Sequence, residues 1–208
     1  MSASDPLTSI RAALAVQPLL ILLAGPNGAG KTTFFEEYLQ ALGLPFVNAD
    51  RLARAIRGAE PGASADRVDR HAFAEAEGLR AALVEAGLSF CTETVFSDPA
   101  GAKLRFLEEA RRRGFAVFMI FIGLDGPMLS VARVKHRVAH GGHDITNEKL
   151  RARFPRILRA AIPVADEAFL VDNSSCDEPY RVVAVYERGN LIGRSPPFPR
   201  WAQGLPGL

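Results

Sequence analysis

Cysteine is scarce in this 208-residue chain, which holds only Cys91 and Cys176. Two cysteines so placed build neither a disulfide framework nor a zinc site, so two reduced thiols in a cytoplasmic protein are expected. An excess of charge of one sign is also missing: Lys and Arg total 25, Asp and Glu 23, for a net charge of +2. That total carries no overall pull toward nucleic acid or a membrane surface. Long apolar runs are absent, since Leu19–Ala24 and Phe115–Leu124 are both too short to span a bilayer. Ahead of the first run stands a lone Arg11 and no basic cluster, so no secretory leader is expected. Internal repeats and low-complexity stretches are missing too. What is present, 48% hydrophobic and 23% charged residues, is the composition of an ordinary globular protein. A chain of this length buries a sizeable core without staples, and a single domain over residues 1–208 is expected.

Apolar runs alternate with helical patterns. Leu19–Ala24, Phe46–Asn48, Phe90–Val95, Phe115–Leu124 and Ala168–Val171 read as strands. Lys31–Leu42, Ser64–Ala86, Pro99–Arg113, Pro127–Ala139 and Asn147–Ala161 read as helices. In the longest, Val68, Ala72, Ala76, Leu79 and Leu83 recur at spacings of four and three, predicting one apolar face. Arg181–Glu187 and Leu191–Ile192 flank Arg188-Gly189-Asn190, the turn of an antiparallel hairpin at an edge. The stretch Ser195–Leu208 holds four prolines and is expected to be irregular. The alternation predicts an α/β three-layer fold: a mainly parallel five-stranded sheet, a helical lid over roughly residues 127–161, and a C-terminal hairpin. Ligands of such sheets lie beyond the carboxyl ends of the strands. That singles out Gly25, Asp50, Glu93 and Asp125.

The segment Gly25-Pro26-Asn27-Gly28-Ala29-Gly30-Lys31-Thr32 satisfies G-x-x-x-x-G-K-[ST], with an apolar strand before it and a helix after it. Its glycines allow backbone N–H groups to converge on phosphate oxygens. Lys31 is placed to reach the β- and γ-phosphates and Thr32 to ligate Mg²⁺, with Thr33 next in the loop's helix. A transporter-ATPase signature and the N-K-x-D guanine reader are both absent, which favours ATP over GTP.

Three carboxylates sit where the sheet would open. Asp50 is placed to take the proton of an attacking hydroxyl; its other reading is an N-cap for the following helix. Glu93, in an apolar segment, reads first as an acceptor for a substrate hydroxyl and otherwise as an outer-sphere magnesium group or a strand-end charge. Asp125 ends its strand as a Walker B acid would, while Gly126-Pro127 equally makes it a turn residue.

Between Lys103 and Arg159 stand 13 basic and 5 acidic residues. Arg133 and Arg137 share one helix face, and Lys149, Arg153 and Arg156 another, on either side of the His140–Asp144 loop. An arginine-bearing lid suits stabilisation of a moving phosphoryl group, against the plain reading of two solvated faces. His143 either bonds a phosphate or braces the loop.

Together the segments LLAGPNGAGKTT, FVNAD, CTETVFS, FMIFIGLDGP, RVKHRVAHGGHDIT, RARFPRIL and FLVDNS resemble the zeta-toxin family of P-loop kinases, in order from Leu22 to Ser174. The resemblance implies transfer of the ATP γ-phosphate to a hydroxyl of a UDP-activated amino sugar such as UDP-N-acetylglucosamine. It implies Asp50 as general base, Lys31, Arg137 and Arg153 as catalytic cations, and Arg156 as a further ATP contact. Glu93 and Thr94 would hold the sugar, Thr32 the Mg²⁺, and Asp172-Asn173-Ser174 would lie near adenine. A separately encoded antitoxin is the implied partner. The residues themselves leave open a kinase for another alcohol (an antibiotic or a nucleoside), a polynucleotide kinase, and a nucleotide-binding switch without transfer.

Overall fold

The computed structural model describes residues 5–95, 101–125 and 154–208, apart from the side chains of residues 154–156. Asp5 caps the first helix, α1 (Pro6–Leu14), by accepting from the Leu7 N–H, and Pro6 starts it with a preset φ. Then come β1 (Leu19–Ala24) and α2 (Lys31–Phe34), which runs on as a π turn over Phe35–Leu39 and a 3₁₀ turn over Gln40–Leu42. After β2 (Phe46–Val47) follow α3 (Ala49–Ala59), α4 (Ala65–Glu85), β3 (Phe90–Thr94), α5 (Ala102–Arg112) and β4 (Ala116–Gly123). The chain is next described in α6 (Phe154–Ala161), then β5 (Glu167–Asp172), β6 (Arg181–Glu187) and β7 (Asn190–Arg194).

One sheet of seven strands carries the order β2-β3-β1-β4-β5-β6-β7. The first five are parallel, while β6 and β7 return antiparallel as the expected hairpin at the edge of the sheet. The five expected parallel strands are therefore all present, extended by two. β1 lies at the centre and every residue in it is buried. Its alternate side chains feed two cores: Leu20, Leu22 and Ala24 face one, and Leu19, Ile21 and Leu23 the other. β4 divides the same way, with Val117, Met119 and Phe121 opposite Phe118, Ile120 and Ile122. Strands covered on both faces need this continuous apolar run.

Helices segregate by face. Ile10 of α1 and Phe34, Phe35 and Leu39 of the α2 segment cover one side. Ala76 and Val84 of α4, Leu107 and Ala110 of α5, and Leu158 and Ala161 of α6 cover the other. On α4 the expected face is bent: Val68, Ala72 and Ala76 are buried, but Leu79 is exposed and Val84 replaces it. An ideal helix drifts against a pattern of threes and fours, so over 21 residues the buried stripe moves round.

The proline-containing tail is irregular, as expected, apart from one turn, and it packs against the sheet. A 3₁₀ turn over Arg200–Ala202 lays the Trp201 ring across β4, its centroid 5.3 Å from that of Phe121. Gly123 makes room for the indole, since a Cβ there would stand 2.2 Å from the ring. Ala202 and Leu205 are buried, and the Tyr186 hydroxyl donates to the Pro206 carbonyl at 2.7 Å.

Both cysteines are free thiols, Cys91 buried in β3 and Cys176 exposed. Burial, and then the neighbouring Glu93 charge, push the Cys91 thiol well above its usual range. Ellman's reagent is expected to titrate one thiol in the native protein and both in denaturant; two in the native state would contradict this packing. Gly123→Ala is expected to displace Trp201 and cost about 1–3 kcal/mol in a urea titration. Trp201→Ala in the same chain should make the added methyl nearly neutral.

Candidate active site

The carboxyl ends of β1, β2 and β3 open onto a cavity of about 290 Å³. Its walls include Asn27, Gly28, Gly30, Lys31, Thr32 and Thr33 of the glycine-rich loop, and Asp50 and Glu93 facing them. Gly25, Pro26 and Ala29 lie beneath, buried. Two glycines are obligatory here. Gly25 has φ 145° and passes so close to β4 that a Cβ would sit 2.2 Å from the Ile122 carbonyl oxygen. Gly30 has φ 89° and would clash with Asn173 and Tyr180.

Lys31 is 4% exposed and its ammonium donates to the Gly25 and Pro26 carbonyls at 3.1 and 3.0 Å. It also stands 3.5 Å from Glu93 Oε1. Glu93 Oε2 accepts from the Thr32 hydroxyl at 2.9 Å and from Asn48 Nδ2 at 2.6 Å. One carboxylate thus holds the loop's lysine, its threonine and the end of β2. Parallel pairing places it there, because Leu23 of β1 lies opposite Glu93, one residue short of the end of each strand.

Asn48 is the residue that sequence reasoning missed. Its side-chain oxygen accepts from the Arg51 N–H at 3.0 Å, so Asn48, not Asp50, caps α3. Its amide nitrogen is left to bond Glu93. Asp50 falls in the first turn of the helix, exposed on the cavity wall. The spacing Asn48 to Arg51 carried this signal, because the cap oxygen bonds the N–H two or three residues on.

Other expected residues lie outside the cluster. Thr94 ends β3 and its hydroxyl accepts from Lys103 Nζ. Asp125 does not line the cavity, and its N–H donates to Ser174 Oγ at 2.6 Å. Arg137, Arg153 and His143 lie outside the described residues, as does most of the lid. Arg156 stands in the first turn of α6. Among the described residues no group of three metal-ligating side chains occurs, and no helix is long and apolar enough to cross a membrane.

Asn48→Ala removes a cap and a Glu93 partner at once. It is expected to cost about 1–3 kcal/mol by urea denaturation, more than a cap alone. A loss below about 0.5 kcal/mol would show that Glu93 is held without it.

Comparison with known proteins now has a geometry to attach to. A cytidylate kinase of Acidiphilium cryptum is 28% identical over 216 residues, covering 85% of this chain and 97% of its own. An uncharacterized protein of Haemophilus influenzae is 27% identical over 142 residues, covering 67% of this chain and 94% of its own. Among solved structures, the PezAT chromosomal toxin–antitoxin system of Streptococcus pneumoniae superposes with a TM-score of 0.60 at 16% identity, over 87% of this chain and 82% of that one. AvrRxo1-ORF1:-ORF2 with ATP gives a TM-score of 0.65 at 19% identity, over 89% of this chain and 63% of that one. These likenesses establish the fold, a P-loop kinase fold shared with toxin–antitoxin proteins. The sequence pattern of the AAA domain matches residues 20–162, more than half of the chain. The chain belongs to the AAA domain family.

Proposed function

We propose that the protein is an ATP-dependent kinase of zeta-toxin type that phosphorylates a hydroxyl of a small molecule, with a UDP-activated amino sugar as the leading acceptor. The observation that carries this is the single cavity in which a complete phosphate loop faces Asp50 and Glu93. The fold likeness to a toxin–antitoxin system supports a separately encoded antitoxin as partner. The two free thiols support a cytoplasmic setting.

Roles follow from position. The N–H groups of Gly28, Gly30 and Lys31 cradle the phosphates, and the Lys31 side chain turns from its loop carbonyls to the β- and γ-phosphates. Thr32 and Glu93 offer hydroxyl and carboxylate oxygens 2.9 Å apart, a hard donor pair that fits Mg²⁺. Mg²⁺ supplies neutralisation of phosphate charge in such sites. That moves Glu93 from the sugar, where the resemblance had it, to the phosphate side. Thr94 and Lys103 are left to contact the acceptor. Asp50 accepts the hydroxyl proton as that oxygen bonds the γ-phosphorus and the bond to the β,γ-bridging oxygen breaks, releasing ADP. Arg137 and Arg153 stabilise the phosphoryl charge from the lid.

A second reading is a nucleoside monophosphate kinase, favoured by the cytidylate kinase relative. Its acceptor is a phosphate and needs no base at Asp50. The purified protein should be incubated with ATP·Mg and a panel of UDP-sugars, CMP and nucleosides, with ADP release and product mass recorded. The expected result is a phosphorylated UDP-amino sugar. Asp50→Asn should lower kcat by about 10²–10⁴-fold with little change in KM for ATP. CMP phosphorylation unaffected by Asp50→Asn would select the second reading, and ATP binding with no transfer across the panel would leave only the switch.

A further inference from the structure

The outer side of the phosphate loop is held from the far end of the chain. Asn173, just past β5, is 6% exposed and its Nδ2 donates to the Ala29 carbonyl at 2.9 Å. Tyr180, just before β6, donates its hydroxyl to the Gly30 carbonyl at 3.0 Å. Each carbonyl shares its peptide plane with the N–H of the next residue, Gly30 and Lys31, and both of these residues line the cavity. The two side chains also fill the space that Gly30 leaves, since a Cβ there would meet the Tyr180 hydroxyl at 2.6 Å and Asn173 Nδ2 at 2.8 Å.

Both clamps are themselves fixed. The Tyr180 ring stands edge-on to Phe34 and Tyr38, with centroids 5.2 and 5.6 Å away. Its backbone occupies the left-handed region at φ 56°, a conformation that a tyrosine adopts only where its surroundings impose it. The Asn173 N–H donates to the Gly123 carbonyl at 3.0 Å. Beside it, Asp172 Oδ1 accepts from Trp201 Nε1 at 3.0 Å and from Ser174 Oγ at 2.6 Å.

We infer that Asn173 and Tyr180 are positioning residues for the phosphate loop: they tie its Ala29 and Gly30 carbonyls outward and so aim the loop's N–H groups at the triphosphate. They act on the phosphates through the backbone and not on the base. The inference rests on the ATP-binding reading above. Preorganised donors bind an anion without spending its energy on ordering the loop.

The test is competition for a fluorescent ATP analogue by ATP and by inorganic tripolyphosphate, with thermal melting as the control of folding. In Tyr180→Phe and in Asn173→Ala, each losing its hydrogen bond to a loop carbonyl, both competitors should weaken about three- to tenfold, and by the same factor. Unchanged affinity in a folded variant would overturn the inference while leaving the kinase reading intact. So would a loss confined to ATP, because that places the contact on the nucleoside. If the wild type binds neither competitor, both readings fall. Should Tyr180→Phe not fold, Asn173→Ser, which shortens the donor, decides on the same criteria.

Discussion

The carboxylate of Glu93 is the point on which this site turns. Three segments meet at it: the lysine and threonine of the phosphate loop, the asparagine that ends β2 and begins α3, and β3 itself. A charge 12% exposed is tolerable only with partners on several sides, and here it has a cation and two hydrogen-bond donors. Removing any one of them leaves a charge that the surrounding apolar strand cannot solvate. The position of Asp50 depends on the same arrangement, because Asn48 fixes the start of α3 while bonding Glu93.

The sheet makes this convergence possible. Parallel pairing brings the carboxyl ends of β1, β2 and β3 to one rim, and full burial of β1 and β4 keeps them rigid. The phosphate loop is pressed against β4 through Gly25, and β4 is in turn pressed by Trp201 through Gly123. Two glycines thus let neighbouring layers approach more closely than any side chain permits. The loop sits between the sheet on one side and the Asn173–Tyr180 clamp on the other.

Much of this could be read from residue order. The phosphate loop, the five parallel strands and the helices α2, α4, α5 and α6 follow from short apolar runs, glycine stops and three-and-four spacing. Local signals were misjudged where two residues competed for one role. The N-cap was the second reading of Asp50, yet Asn48 takes that role, since its amide satisfies both the helix and Glu93. Leu79 looked buried because a short pattern was extended along a long helix. The α1 helix announced itself by Asp5-Pro6, a cap followed by an N1 proline, but a weak apolar face hid it. Contacts made by Trp201, Tyr180 and Asn173 had no local signature at all. They join residues far apart in sequence, and only the right-handed crossovers and the β5–β6 return bring them together.

That separation has a bearing on synthesis. Asn173 and Tyr180 bond carbonyls 144 and 150 residues earlier in the chain. On the ribosome the phosphate loop emerges well before its two clamps. The loop must therefore wait, unclamped, while the rest of the sheet is translated and assembled around β1. Such long-range closures are late events in folding, because loop entropy is spent before they are gained. A nascent chain that stops short of Asn173 carries an intact phosphate-loop sequence without the two side chains that hold its carbonyls. The shape of the loop is in this sense tied to translation through β5 and on to Tyr180.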